Sequence, residues 1–112
     1  MNTVQILKEA RALIADEKNW MRGEYVGTQS GGILCAGDPE ANCFCSIGAV
    51  AHVTKQQNIY DVEQSKAVKL LLNSIEDEQT SYSVAAFNDT HEHEEVLALF
   101  DRAIARAESE AA

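Results

Sequence analysis

The chain has 112 residues, 46% of them hydrophobic and 24% charged, and its 9 lysines and arginines against 18 acidic residues give a net charge of -9. This length and composition are typical of one globular domain and exclude the low-hydrophobicity signature of disorder. The acidic excess disfavours direct binding to nucleic-acid backbones or anionic membranes, and no apolar run is long enough to span a bilayer.

We therefore expect a single globular domain over residues 1–112. The first twenty residues lack the basic start and the unbroken apolar segment of a secretory signal peptide, which favours a cytoplasmic protein. Cys35, Cys43 and Cys45 lack CxxC spacing. In a reducing compartment we expect them to be free thiols that pack as small hydrophobic side chains.

The first predicted element is an amphipathic helix over residues 2–18. Asn2 and Gln5 have the spacing of a capping box, in which two side chains satisfy free backbone N–H groups at a helix start. Apolar residues then recur at steps of three and four and form one stripe: Ile6, Leu7, Ala10, Leu13 and Ile14.

Residues 19–37 contain five of the six glycines and show little helical periodicity. They predict either two short strands, 20–26 and 33–36, joined by a turn, or one irregular loop that covers the core. Both alternatives remain open at this point.

The stretch 39–54 is the predicted centre of the fold. Asp38 followed by Pro39 is typical of a helix start, because Asp caps free N–H groups and proline suits the first helical position. The apolar part of this stretch has only Ser46 and His52 as polar side chains. A helix that is apolar on nearly every face is a buried one.

Two more helices follow in the prediction. Asp61 and Gln64 begin a helix over 61–76, and Asp89 with Glu92 caps a helix over 91–107. Between them we expect an exposed polar connection at 76–83 and an apolar turn at 84–87, and the last five residues should fray.

The predicted fold class is mainly α. It is a four-helix compact domain around a buried central helix, with a small β-hairpin or glycine-rich loop insertion at about 20–37.

Four short motifs also point to a family. They are Trp-x-x-Gly at 20–23, Phe-Cys-x-x-Gly-Ala at 44–49, Ala-Ala-x-Asn-Asp at 85–89 and Glu-Val-Leu-Ala-Leu-x-Asp-Arg-Ala-Ile at 95–104. In this order they resemble a family of small uncharacterised bacterial and phage proteins, a domain of unknown function. The resemblance implies one compact domain of bacterial or phage origin and carries over no catalytic residue.

A catalytic site would require Cys45, His52 and Asn88. Seven residues separate Cys45 from His52, so on one helix they share a face. Their backbones would be about 10 Å apart, too far for a direct thiol–imidazole pair unless both side chains lean inward. Asn88 is the candidate oxyanion donor. A buried core cysteine and a helix histidine are the more economical interpretation.

A metal site could use Cys35, Cys43, Cys45 and His52, or the pair His91 and His93. Residues two apart on a regular helix point in nearly opposite directions, which argues against both sets. We therefore expect no metal and no cofactor.

The segment 76–101 contains eight acids and no lysine or arginine. Such a run is usually a solvated face, but it also suits a basic protein partner. Aromatic and polar residues could line a groove beside it. The candidate binding residues are Trp20, Arg22, Tyr25, Asn88, Asp89, Glu92, Glu94 and Glu95.

The sequence thus favours a small acidic protein that binds another protein without catalysis, as phage-type inhibitors and regulators do. The alternative is a small enzyme or ligand-binding domain with a pocket near Cys45, His52 and Asn88. The oligomeric state is open, and self-association fits both hypotheses.

Overall fold

A computed structural model describes residues 1–111, which form six α-helices and a two-stranded antiparallel sheet. The predicted fold class, mainly helical with a small β insertion, is confirmed, although six helices replace the four expected. The elements are α1 (Thr3–Leu13), β1 (Val26–Gly27), β2 (Cys43–Phe44), α2 (Ser46–Thr54), α3 (Ile59–Glu63), α4 (Lys66–Asn73), α5 (Val84–Thr90) and α6 (His93–Ala111). None of the helices described over 1–111 has the length and apolar character needed to cross a membrane.

Helix α2 lies at the centre, in contact with α1, α3, α4 and α5. All of its residues from Ser46 to Ala51 are buried, so the prediction of a buried central helix is confirmed. Helix α6 closes the core by packing on α1 and α4. The largest fully buried apolar side chains come from several of these elements: Leu7, Ile14, Ile47, Leu71, Leu99 and Phe100.

The central helix begins at Ser46, so the predicted start at Pro39 is wrong. Asp38 does cap a turn, since its Oδ1 accepts the Glu40 N–H at 2.9 Å. The chain then extends because its backbone pairs with β1, where Val26 lies opposite Phe44. A local helix signal is overridden by a strand pairing that the local sequence does not reveal.

The insertion at 20–37 supplies only one strand of the sheet. The predicted pairing of 20–26 with 33–36 is reduced to a bridge between Gly27 and Ile33 and one bond from Leu34 N to the Val26 carbonyl at 3.0 Å. The opposite edge of β2 receives the Met21 N–H on the Phe44 carbonyl at 3.0 Å. Strand β2 therefore lies between two segments of the insertion.

The predicted helix over 61–76 is two helices, α3 and α4. Asn58 caps α3 by accepting the Asp61 N–H on its Oδ1 at 3.3 Å, so Asp61 lies in the first turn instead of capping it. Ser65 then caps α4 by accepting the Val68 N–H on its hydroxyl at 3.3 Å. A serine that satisfies the backbone in this way competes with a continuous helix.

The C-terminal boundaries also differ from the prediction. The expected apolar turn at 84–87 is the start of α5, which continues to Thr90 and includes Asp89. Helix α6 begins at His93 because Glu95 accepts the Glu92 N–H at 3.0 Å, so the cap predicted at Asp89 is wrong.

The capping box of Asn2 and Gln5 is confirmed at α1. The tail expected to fray is helical as far as Ala111, where ion pairs tie it to other helices: Lys8 with Glu108 at 3.3 Å, and Lys66 with Glu110 at 3.1 Å. Ala112, the last residue of that predicted tail, lies outside the described residues.

Gly48 sets how closely β1 approaches α2. A Cβ at this position would lie 1.8 Å from the Tyr25 carbonyl oxygen, which is backbone and cannot turn aside. Only glycine leaves the space for this contact.

We expect Gly48→Ala to destabilise the protein by about 3 kcal/mol or more, because the overlap outweighs the ~1 kcal/mol that alanine gains over glycine inside a helix. Urea unfolding followed by circular dichroism measures this change. The control is Gly32→Ala, where the new methyl group meets only the end of the Thr28 side chain, at 3.0 Å. Equal unfolding midpoints for the two variants would contradict the proposed contact.

Candidate functional site

Asn88 is the buried polar centre of the molecule, with 0% of its surface exposed. Its Oδ1 accepts three hydrogen bonds: from Trp20 Nε1 at 2.8 Å, from Ser46 N at 3.0 Å and from Ser46 Oγ at 2.8 Å. Its Nδ2 donates to the Met21 carbonyl at 3.0 Å and to Asp89 Oδ1 at 3.2 Å. One amide therefore joins α5, the first residue of α2 and the segment before β1.

A second layer of contacts surrounds this centre. The Gly23 N–H donates to Asp89 Oδ1 at 3.0 Å, and Gly23 adopts a left-handed φ of 84° that favours glycine. The Arg22 guanidinium lies 4.9 Å from the centroid of the Trp20 ring and also donates to the His91 carbonyl. Trp20, Arg22 and Asp89, which the sequence analysis selected as binding residues, are thus brought together around Asn88.

Tyr25, another predicted binding residue, lines a cleft of about 110 Å³ together with Glu24, Cys45 and Asp89. Partial burial, and then the negative charge of Glu63, raise the pKa of the Tyr25 hydroxyl. The hydroxyl is therefore neutral at physiological pH and offers a hydrogen bond without a charge.

Cys45 is the cap of α2 and is 4% exposed. The expectation that it lies on the central helix and shares a face with His52 is wrong, since the helix begins one residue later. Its Sγ accepts the Gly48 N–H at 3.4 Å, and burial raises the pKa of the thiol to about 11. A protonated thiol is a poor nucleophile, because the thiolate is the reactive form.

His52 belongs to a different cavity, which it lines with Pro39 and Lys55, and its ring packs against Phe44 with centroids 4.7 Å apart. Asn88 has both amide hydrogens engaged and has none left for an oxyanion. The structure therefore does not assemble Cys45, His52 and Asn88 into a nucleophilic site.

The two candidate metal-binding histidines have separate partners. His91 Nδ1 donates to the Phe87 carbonyl at 2.9 Å, and its Nε2 lies 3.4 Å from Asp77 Oδ2. His93 Nε2 donates to the Ile14 carbonyl at 2.6 Å. Their rings therefore do not converge on one ion, and residues 1–111 contain no group of three potential ligands that could hold a metal.

The cysteines do not converge either. Cys43 lies in β2, so the helical geometry used against a Cys43–Cys45 pair does not apply. The Cys43 thiol donates to the Lys18 carbonyl at 3.6 Å, whereas Cys45 faces Gly48. Cys35 is exposed and apart from them in the loop before β2.

Three arginines that lie outside the acidic segment 76–101 neutralise part of its negative charge. The pairs are Arg22 with Glu92 at 3.9 Å, Arg11 with Asp101 at 2.7 Å and Arg102 with Glu76 at 3.8 Å. All three predicted binding glutamates of this region are exposed, but Glu92 is paired with Arg22 and Glu95 caps α6, whereas Glu94 has neither role. The acidic surface is smaller than the sequence suggests.

Three carboxylates of the segment, those of Glu76, Asp77 and Glu95, line a cleft of about 200 Å³, here called the acidic cleft. Its lining residues come from α5, α6 and the connection between α4 and α5: Glu76, Asp77, Phe87, His91, Glu95, Ala98 and Arg102. The His91 ring stacks on Phe87 with centroids 3.8 Å apart and an interplanar angle of 13°. The Arg102 Nε is held by the Ser74 carbonyl at 3.0 Å.

Sequence reasoning missed Glu76, Asp77 and Arg102 as members of one site. Glu95, Ala98 and Arg102 follow the three- and four-residue spacing of one helix face, which was the available signal. The contribution of the α4–α5 connection depends on tertiary packing and had no local signature.

The fold and its central amide define a small, mainly helical protein in which Cys45, His52 and Asn88 do not form a catalytic group. Over residues 1–106 the chain matches the model of a family of unknown function, DUF6197, and it belongs to this family. No curated protein and no solved structure matches the chain significantly. The resemblance to a domain of unknown function is therefore confirmed.

We expect Asn88→Ala to lower the free energy of unfolding by about 3 kcal/mol or more, since each buried group left without a partner costs about 1–3 kcal/mol. Chemical denaturation monitored by Trp20 fluorescence measures the loss. Asn73→Ala, at an exposed position on α4, is the control and should change stability by less than about 0.5 kcal/mol. Similar losses in both variants would show that the amide is not a central support.

We expect Cys35 to be alkylated by iodoacetamide much faster than Cys45 at pH 7.5. With a pKa of about 11, only about 0.03% of the Cys45 thiol is ionised at that pH. The raised pKa means that the reactive fraction should grow about tenfold per pH unit up to pH ~10 while the protein stays folded. Mass spectrometry of labelled peptides measures both rates. Rapid labelling of Cys45 that His52→Ala slows would instead support the nucleophile hypothesis.

Proposed function

We propose that the protein is a non-catalytic binding module that recognises a basic segment of another protein through the acidic cleft. The observation that supports this is the convergence of Glu76, Asp77 and Glu95 on one opening, with Arg102 as the single cation in its lining. Arg102 is already held by the Ser74 carbonyl. Glu76 lies 3.8 Å from Arg102 and offsets its charge, so Asp77 and Glu95 leave the cleft with a net negative charge that suits a positively charged side chain.

The residues that line the cleft favour arginine over lysine. A guanidinium group is flat, donates in pairs to carboxylates and stacks on rings. The His91 ring forms one wall of the cleft, with Asp77 Oδ2 3.4 Å from its Nε2. The cleft volume of about 200 Å³ is below the range typical of small-molecule pockets and suits one long side chain of a partner protein.

The engagement of the candidate catalytic groups supports a binding role over the enzymatic alternative. Cys45 is protonated by virtue of its burial, and the amide of Asn88 is saturated by structural hydrogen bonds. Glu92 is paired with Arg22, which moves the proposed contact from the start of α6 to the acidic cleft. Glu95 caps α6 through its Oε1 and also lines that cleft.

The test uses a short capped peptide with two arginines and its counterpart with neutral citrulline at both positions. Binding followed by NMR should be saturable for the arginine peptide and weaken as salt rises. Glu76→Lys should weaken it several-fold, because it reverses a charge at the cleft. The matched control is Glu9→Lys, which makes the same charge change on the exposed face of α1. Equal binding of the citrulline peptide, or equal loss in both variants, would overturn the proposal.

A further inference from the structure

A second cavity, here called the α2 cavity, lies at the C-terminal end of α2. It has a volume of about 420 Å³ and is lined by Gly37, Pro39, His52, Lys55 and Gln57. Pockets that bind small molecules span roughly 300–1,000 Å³, so this cavity has the size of a ligand site. It shares no lining residue with the acidic cleft.

His52, which lines this cavity, carries a buried group without a hydrogen-bond partner. Its Nδ1 is the one buried side-chain nitrogen or oxygen in residues 1–111 that has no hydrogen-bond partner. The other buried polar side chains, Ser46, Ser74, Thr80 and Asn88, all have partners. A buried polar atom without a partner is destabilising, so a group that enters the cavity and bonds to Nδ1 gains what the chain does not supply.

Lys55 occupies a position where glycine is usual. It follows α2 in a left-handed conformation, with φ at 57°, and the Gln56 N–H closes the helix end on the Ala51 carbonyl at 3.0 Å. Most helices that end in this way have glycine there, because a side chain is strained in this conformation. The helix end therefore does not require lysine, although its charge is compatible with the helix dipole.

The charge of Lys55 is also unpaired. Its ammonium forms no ion pair with another described residue, unlike most of the lysines and arginines in residues 1–111. Asp38, which lies between the lining residues Gly37 and Pro39, accepts the Glu40 N–H at 2.9 Å and is engaged in its own turn. A cationic group is thus available at the cavity of an acidic protein.

The opposite wall of the cavity contributes an amide and an apolar surface. Gly37 adopts a φ of 89°, and a Cβ there would come within 3.0 Å of Gln57 Cγ, so the loop and Gln57 are in close contact. Pro39 adds an apolar face beside them. The cavity thus combines one cation, two hydrogen-bonding groups and an apolar wall.

We propose that the α2 cavity binds a small organic anion, with its charged group paired to Lys55 and hydrogen-bonded to His52, and its apolar body against Pro39. The C-terminal end of α2 opposes an anion with about half a negative charge, but the full positive charge of Lys55 outweighs it. When the ligand binds, the imidazole turns so that the buried Nδ1 reaches the cavity and donates its N–H to the anion, and the Gln57 amide N–H donates a further hydrogen bond.

The test is an NMR titration with benzoate, which carries one carboxylate on a flat apolar ring, at constant ionic strength. We expect saturable shifts of the Lys55 and Gln57 amides and the His52 ring, with a dissociation constant on the order of 1 mM for so small a probe. Benzamide has the same shape without the charge and should bind several-fold more weakly.

Two variants and a control identify the groups. Lys55→Asn keeps a residue that tolerates the left-handed conformation and should weaken benzoate binding about fivefold, the effect of one partly exposed ion pair. His52→Phe keeps the ring without the N–H and should weaken it similarly. Lys69→Asn removes another lysine that forms no ion pair with a described residue, on α4, and should leave binding unchanged.

Several outcomes would overturn the proposal. One is that the chemical shifts still change linearly with benzoate concentration at about ten times the expected dissociation constant. The others are equal binding of benzamide and benzoate, and equal effects of Lys55→Asn and Lys69→Asn on benzoate binding. Unfolding curves of all variants establish that each one is folded. Because this site shares no lining residue with the acidic cleft, failure here leaves the proposed protein-binding role intact, and the reverse also holds.

Discussion

The side-chain amide of Asn88 is the interaction on which the other parts depend. It lies where three segments distant in the sequence meet, and it is removed from water, so its bonds replace the hydrogen bonds that water would make with Trp20 and Ser46. In a low-dielectric interior such a network is stabilising when complete and costly when broken. It holds the insertion against α2 and α5 where apolar packing alone would allow several registers.

This network also explains two of the four short motifs on which the resemblance to the family was based. Trp20 and Gly23 of one motif bond to Asn88 and Asp89 of the other, across more than sixty residues of sequence. A pattern that suggested a binding groove is thus, in good part, a structural clamp. Polar residues in a short motif indicate function only when their hydrogen-bonding capacity is left over after folding.

The sequence was sufficient to predict those elements that depend on interactions between residues close together in the chain. The capping box at Asn2 and the apolar stripe of α1 depend on residues within a turn or two, and the sequence was sufficient for them. Residues 39–45 have equally local helix signals, but within this stretch Cys43 and Phe44 are paired with β1, a strand that precedes them by about sixteen residues. The sequence predicts Ser65 inside a continuous helix, because the amino-acid sequence alone does not distinguish a serine that caps a helix from one within it. In the structure Ser65 caps α4.

The features of the candidate site show the same difference between what local sequence determines and what tertiary packing determines. The buried character of Cys45 was predictable from its apolar surroundings, whereas its place before the helix was not. The acidic segment was visible as a run of charge, yet Arg11 and Arg22 reach it from other elements and cancel part of it. The acidic cleft and the α2 cavity could not be predicted from the sequence, since each is built from segments that only tertiary packing brings together.

The pairing of α1 with α6 has a consequence for how the molecule is made. The first helix finds its main apolar neighbours in α2 and in the last helix, about eighty residues further along. Closing so long a loop is slow relative to helix formation, and it cannot occur before α6 has left the ribosome. During synthesis the side of α1 that packs on α6 therefore stays uncovered, and completion of the core is expected to be a late step that relies on α6.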